Sequence, residues 1–181
     1  MDSFVETASG NRISKEALIK GPSNILISGN STISSKVTLN GDVPLVPSET
    51  NSTIQIGKFV FIDENVAITP PLYSKNLHKL SKIGSYVQIG KDSEINSLHI
   101  GNRVLIEDHC VLQKLTTIHD CVIIKQNTHI LESTTIPPFS LVYTKNNKLI
   151  IKSLPESFKI LNEEASKMAY INSQFTPSDT P

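Results

Sequence analysis

The chain has 181 residues, 38% of them hydrophobic and 19% charged, enough for one domain with a full core, because a chain this long can bury roughly 70% of the surface it exposes when unfolded. Seventeen acidic residues balance seventeen basic ones, so no long-range field selects nucleic acid or an anionic membrane as a partner. Two cysteines exclude a disulfide scaffold and suit a reducing compartment. The opening MDSFVETASGNR lacks a signal pattern and no apolar run approaches a bilayer span, so the expectation is a soluble intracellular protein without membrane insertion.

Residues 1–24 read as a lead-in segment. From about Ile25 a repeat organises the chain, and a repeat takes precedence over any local reading. Aliphatic residues recur every six positions: Ile27, Ile33 and Leu39, then Ile56, Ile62 and Ile68, then Ile83, Ile89 and Ile95, and after one shorter step Ile100, Ile106, Leu112, Ile118, Ile124, Ile130, Ile136 and Val142. Four residues after each comes a smaller or β-branched one, among them Val37, Val60, Val66, Val87, Ser93, Val104, Cys110, Thr116, Val122 and Thr128. A helix repeats its apolar positions every three or four residues and a half-buried strand every two, so neither accounts for six. A short strand and a turn, repeated, does. Each unit points one large aliphatic inward with a small residue at the corner, and buries its face only by stacking on its neighbours. The expected fold is therefore all-β, a left-handed parallel β-helix of hexapeptide repeats over 25–145 with a C-terminal α-helix. Gly57, Gly84, Gly90 and Gly101 follow the aliphatic position and are expected at turns needing φ > 0.

Two segments break the register. DVPLVPSETNST near 42–53 and the stretch opened by Pro70-Pro71 near 70–82 read as loops leaving the coil. The second carries Leu72, Tyr73, Leu77 and Leu80, which cover the coil or meet a partner. Within 146–175, Asn146-Asn147 makes a turn, KLIIK a last strand, and Ser153-Leu-Pro155-Glu156 a helix start. Phe158, Leu161, Ala165, Met168 and Asn172 then follow helical spacing, widened by Ile160, Ala169 and Ile171, so this apolar side packs along the prism or docks on another subunit. Residues 176–181 read as a disordered tail in which Thr176 and Thr180 each precede proline.

The stretch IEDHCVLQKLTTIHDC gathers both cysteines with His109 and His119, which suggests a metal site. The register argues otherwise. Cys110 falls in the small inward column, whereas Cys121 is expected to point outward on another strand. His99, His109, His119 and His129 are spaced by ten while a triangular coil stacks positions eighteen apart, so three ligands do not meet on one centre. No catalytic, cofactor-binding or metal-ligating residue is assigned.

The ends of the chain carry a more specific signal. Phe4-Val-Glu-Thr-Ala-Ser-Gly-Asn-Arg-Ile-Ser14 and Asn24-Ile-Leu-Ile-Ser-Gly29, with Ile83-Gly-Ser-Tyr-Val-Gln-Ile-Gly-Lys91, Ile136-Pro-Pro-Phe-Ser140 and Leu154-Pro155-Glu156, resemble the dynactin subunit 5 family. That resemblance implies a non-catalytic adaptor in the pointed-end complex of dynactin. Its expected partners are the related β-helix subunit 6, subunit 4 and an actin-related protein, with cytoplasmic dynein and its cargo adaptors reached indirectly. Two other classes share the fold: hexapeptide acyltransferases, which need a histidine base beside an acyl-carrier cleft, and γ-type carbonic anhydrases. The latter have Arg-Gly-Asp where this chain has Asn40-Gly41-Asp42.

Overall fold

A computed structural model describes residues 4–47 and 51–174. The repeat region winds as a left-handed β-helix whose three parallel sheets form the sides of a triangular prism. Face 1 runs from Arg12–Ser14 through Thr32–Ile33, Phe61–Ile62, Gln88–Ile89, Leu105–Ile106 and Val122–Ile124 to Ser140–Lys145. Face 2 runs from Leu18–Lys20 to His129–Ile130, and face 3 from Ile25–Gly29 to Thr135–Ile136. Antiparallel strands close both ends of face 1: Phe4–Glu6 pairs with Arg12–Ser14, and Lys148–Ser153 with Ser140–Lys145. The turn between the last two strands is Asn146-Asn147, both at positive φ (51° and 59°), the conformation that matches the twist of a tight hairpin.

The interior consists of single side chains stacked along each face. On face 1 Ile33, Ile62, Ile89, Ile106, Ile124 and Val142 lie in register, and each is at most 1% exposed. Leu39, Ile68, Ile95, Leu112 and Ile130 lie in register on face 2, and Ile56, Ile83, Ile100, Ile118 and Ile136 on face 3, none more than 2% exposed. Coils stack about 4.8 Å apart, so each isoleucine contacts its own kind above and below. Val37, Val60, Val87, Val104, Cys110 and Thr116 fill the corners and are buried as expected.

The winding begins earlier than residue 25. Arg12–Ser14 already pairs in parallel with Thr32–Ile33, and Leu18–Lys20 with Thr38–Asn40. The first coil is twenty residues long from Ile13 to Ile33, because Gly21 and a 3-10 turn at Pro22–Asn24 enlarge one corner, which hides it from a strict period of six. The two excursions meet each other. Leu72–Ser74 and Leu77–His78 form a hairpin, and the His78 carbonyl accepts a hydrogen bond from Val46 N–H (2.9 Å) while its N–H donates to Pro44 (2.8 Å).

The glycine expectation is overturned. Gly57, Gly84, Gly90 and Gly101 do not have positive φ; the left-handed corner residues are Phe59, Asn65, Tyr86, Asp92, Arg103, His109 and their successors at the same six-residue spacing. Those glycines are required by close stacking, since a Cβ on Gly84 would lie 2.6 Å from the Gly101 carbonyl oxygen. The coil above leaves no room.

Ile106→Asp places a carboxylate between Ile89 and Ile124 in a column that no water reaches, and is expected to lower unfolding free energy by about 4 kcal/mol or more. His109→Ala, at an exposed corner, is expected to change it by less than about 0.5 kcal/mol. Urea titration of both variants checks the inward and outward assignments.

Candidate functional site

The C-terminal helix α1 spans Phe158–Gln174. At about 1.5 Å per residue it is roughly 25 Å long, close to the height of five coils at about 4.8 Å each. It lies along the corner leading into face 1, where the left-handed residues are Asn30, Phe59, Tyr86, Arg103, Cys121 and Phe139. At the next corner the equivalent residues are Lys36, Asn65, Asp92, His109 and Asn127. From Phe59 onward the first corner is large and covered, and the second is polar throughout.

The contacts between α1 and the prism are mostly polar. Glu163 forms a salt bridge with Arg103, which also faces Asp120 at 3.9 Å. Gln88 Nε2 donates to Ser166 Oγ at 3.3 Å, Thr32 and Ser173 share a hydroxyl hydrogen bond of 2.9 Å, and Tyr170 donates to the Gly10 carbonyl at 2.8 Å. The Tyr170 ring meets Phe59 edge-on at 5.9 Å, Phe59 stacks on Tyr86, and Lys167 lies over Tyr86 at 6.0 Å. Asn162 and Ser166 are the buried residues of the helix.

The helix therefore packs along the prism, but through the side opposite to the one its apolar spacing selects. Ile160, Leu161, Met168 and Ile171 are 68, 65, 51 and 43% exposed, and Ala165 between them is exposed as well. Ser166 and Ser173 face inward instead, because the corner offers them amide and hydroxyl partners rather than an apolar groove, while Asn162 is buried there with its Oδ1 unpartnered. The corner column was the signal available in the sequence: Phe59, Tyr86, Arg103, Cys121 and Phe139 recur with the repeat and are larger or less polar than the residues of the neighbouring column.

Cys121 is the second correction. It is 2% exposed, not outward in solvent, because α1 lies over its corner and brings Lys159 and Glu163 near it alongside Arg103. It is not part of the interior cluster that holds Cys110. Both thiols are free. Burial pushes the Cys110 thiol up to about 11, and burial also raises that of Cys121. Cys110 donates its S–H to the Lys125 carbonyl at 3.2 Å, and burial outweighs the Thr128 backbone N–H that would favour a thiolate there.

The histidines separate by face. His129 sits on face 2 opposite Val111, and His109 at the corner leading into that face, with Nδ1 3.6 Å from Asp92. His99 lies on face 3 opposite Lys82 and Thr117, and His119 follows Ile118 on the same face. Partial burial, and then the Lys82 ammonium, hold the His99 imidazole below its ordinary value. His78 Nδ1 is 2.7 Å from the Pro70 carbonyl in the hairpin, and with Leu72, Val111 and His129 it lines a groove of about 430 Å³ on face 2. Among the described residues no three His, Cys, Asp or Glu side chains are grouped to hold a metal ion. Asn40 pairs with Lys20 on face 2, and the Gly41 carbonyl accepts from Thr53 Oγ1 and Asn24 Nδ2, so Asn40-Gly41 is taken up in joining coils.

These features define a hexapeptide-repeat β-helix protein with a helix strapped along one corner. Solved structures of similar fold include a hexapeptide transferase family protein from Anaplasma phagocytophilum (TM-score 0.66, 15% identity, covering 96% of this chain and 97% of that one). AntD, an N-acyltransferase from Bacillus cereus, is alike in fold at TM-score 0.68 and 16% identity, covering 93% of this chain and 99% of that one. At such identities the likeness is one of fold alone. By sequence the chain belongs to the dynactin subunit 5 family, whose profile matches residues 1–178. A Dictyostelium discoideum protein named dynactin subunit 5 is 28% identical over 102 residues, covering 55% of this chain and 48% of that protein, so the match spans about half the relative's length.

Two measurements test this geometry. Both cysteines are expected to resist a thiol reagent at pH 8 in the native protein, since burial keeps them protonated, and to react fully in urea. The Arg103 guanidinium holds the Glu163 carboxyl below its ordinary value near 4.5. A depressed carboxylate stabilises above its unfolded value, and that contribution is lost as pH falls through the folded one. Glu163→Gln is therefore expected to melt below wild type at pH 7 by a small margin, as suits a partly exposed pair, and the two curves to converge in acid below 4.5.

Proposed function

We propose that the chain is a non-catalytic subunit of dynactin, placed in its pointed-end complex, where it contributes to linking cytoplasmic dynein to cargo. The observation carrying this reading is the reach of the family match. It extends over 1–178, through the non-repetitive start and the C-terminal helix, where a shared hexapeptide repeat alone gives no agreement. A β-helix suits an adaptor because its stacked coils form a stiff rod with flat faces on which several partners can sit. The working location is cytoplasmic, on the microtubule-associated dynactin assembly. Subunit 6, subunit 4 and the actin-related protein are the expected neighbours, with dynein cargo adaptors reached through them.

The acyltransferase alternative draws on fold alone, at 13–16% identity to the solved enzymes. The physical requirement there is a histidine base held at an acyl-carrier cleft. His78 and His129 border the groove on face 2, but His78 is tied through Nδ1 to the Pro70 carbonyl.

The test is native purification through a tag on the full chain. Cosedimentation with dynactin is the expected result, and a lone homotrimer of this chain would sink the reading. Acetyl-CoA at millimolar concentration is expected to leave the melting temperature unchanged. A ligand that binds only the folded state raises it, by about 2.7 kcal/mol of stability at a hundred times its Kd.

A further inference from the structure

Arg12 carries a buried charge that its surroundings leave short of acceptors. It is 7% exposed, and its guanidinium carbon lies 4.6 Å from the centre of the Phe4 ring. Glu6 Oε1 stands 3.5 Å from Nε with its own side chain 72% exposed, yet Nε and Nη1 make no hydrogen bond. A guanidinium cannot shed its proton to relieve this. Burying a charge without hydrogen bonds is costly, so this end of the rod is set for an acceptor with more than one oxygen. The cover over Arg12 is thin, because Phe4 and Glu6 belong to a three-residue strand whose residues are half-buried or exposed.

The two neighbouring ends of the chain differ in direction. Glu6 pairs with Arg12 and Phe4 with Ser14, so the chain traced back from Glu6 moves away along that strand. The helix comes towards it. Glu163 meets Arg103, Ser166 meets Gln88, Tyr170 meets Phe59 and the Gly10 carbonyl, and Ser173 meets Thr32. On this path α1 descends one coil of face 1 for every three or four residues, as about 1.5 Å per residue against about 4.8 Å per coil requires. The coil beyond Thr32 is that of Arg12, its register partner. Three residues after Ser173 comes Thr176, followed by Pro177, in the segment outside the described residues. Three residues cover about 4.5 Å as helix and up to about 10 Å extended, so the Thr176 hydroxyl reaches the level of Arg12 in either conformation.

We propose that Thr176 is a phosphorylation site for a proline-directed kinase and that Arg12 receives the phosphate, pinning the end of α1 to the first coil. The kinase transfers the γ-phosphoryl group of ATP to Thr176 Oγ1. A P–O bond forms to that oxygen, the bond to the β-phosphate oxygen breaks to leave ADP, and the hydroxyl proton passes to a base of the kinase. Two phosphate oxygens then accept from Nε and Nη1 together, the geometry a guanidinium offers to an oxyanion, while exposed Glu6 turns to solvent. The carbonyl end of α1 disfavours a negative charge so close to it. Without Arg12 the same phosphate therefore loosens the last turn, and the sign of its effect rests on one side chain. Thr180, also before proline, lies four residues further on, past the level of Arg12 set by the descent of the helix.

The full-length chain treated with a proline-directed kinase, ATP and Mg2+ tests this, with modified positions located by mass spectrometry and Thr180→Ala as the background. Phosphorus NMR reads the second ionisation of the phosphate, and hydrogen exchange reads the amides of the last turn of α1. With Arg12 present, the second ionisation is expected to fall below its ordinary value near 6. Exchange in the last turn is expected to slow about tenfold against the unphosphorylated chain. In Arg12→Gln the ionisation is expected to return to that of the urea-unfolded chain and phosphorylation to speed exchange. Arg12→Lys keeps the charge without the fork, is expected to fall between the two, and carries the comparison if Arg12→Gln does not fold. A Thr176 that the kinase leaves unmodified in the native chain overturns the proposal. So does exchange that is unchanged by the phosphate with Arg12 present, or slowed as much in the Arg12 variants. Exchange that responds to Asp179→Asn in the unphosphorylated chain, and not to the phosphate, overturns it in favour of the tail's own carboxylate.

Discussion

Contact between equivalent isoleucines one coil apart determines where everything else can go. Ile89 pairs with Ile106 and Ile106 with Ile124 on successive coils, all fully buried, so a change in size at one is felt by both neighbours. A core built this way is one side chain deep, so almost every position that is not in the aliphatic or small column faces a corner or the outside. The chain turns by placing one residue per repeat at positive φ, as at His109, Leu115, Cys121 and Asn127, although such a backbone costs a non-glycine residue about 1 kcal/mol. Stacking above and below holds these corners in place. Within the regular coils glycine sits where two coils touch, as Gly84 touches Gly101, while Gly10, Gly21 and Gly29 near the start of the chain take positive φ.

Face 1 differs from its neighbours because its leading corner is not solvated. Aromatic rings at Phe59 and Tyr86 and the guanidinium of Arg103 need a cover, and α1 supplies one with hydroxyls and a carboxylate. A neutral hydrogen bond contributes a net 0.5–1.5 kcal/mol or so, and a partly exposed ion pair about 0–1, so the strap is fixed by several modest contacts. Their value is in register. Each names one coil: Glu163 to Arg103, Ser166 to Gln88, Ser173 to Thr32, and Tyr170 to Gly10. An apolar interface of the same size would tolerate sliding along a rod whose coils are nearly identical.

The period of six made the fold legible without the structure, because a one-residue column leaves an unbroken record in the sequence: Ile106, Cys110, Leu112 and Ile118 were directed correctly by counting alone. Counting failed where something other than the repeat decides burial. Cys121 occupies a corner that the repeat exposes, and it is buried because a helix forty residues later in the chain covers it. The first coil was missed because Gly21 and Pro22–Asn24 lengthen its corner, and the glycine positions were misread because close approach, like a left-handed turn, selects glycine. For α1, the inference that an apolar side packs inward assumed an apolar partner. The corner column that contradicts that assumption was in the sequence, but it is seen only once the rows are folded into coils.

The two ends of the rod bear on how such a protein joins an assembly. Repeated parallel strands invite endless stacking through the edges of the terminal coils. Here face 1 is closed at both ends by antiparallel strands, Phe4–Glu6 and Lys148–Ser153, and the terminal strands of face 2 are short, Leu18–Lys20 at one end and His129–Ile130 at the other. The innermost side chains of the last coil, Ile130, Ile136 and Val142, are fully buried, and Leu149 from the closing strand packs against the core. Face 3 keeps a five-residue terminal strand, Ile25–Gly29, with no strand closing it, so the closure is that of face 1. Four of the exposed large hydrophobics, Ile160, Leu161, Met168 and Ile171, share one element on the long sides of the rod, α1, which is held at a fixed height by contacts that each name one coil.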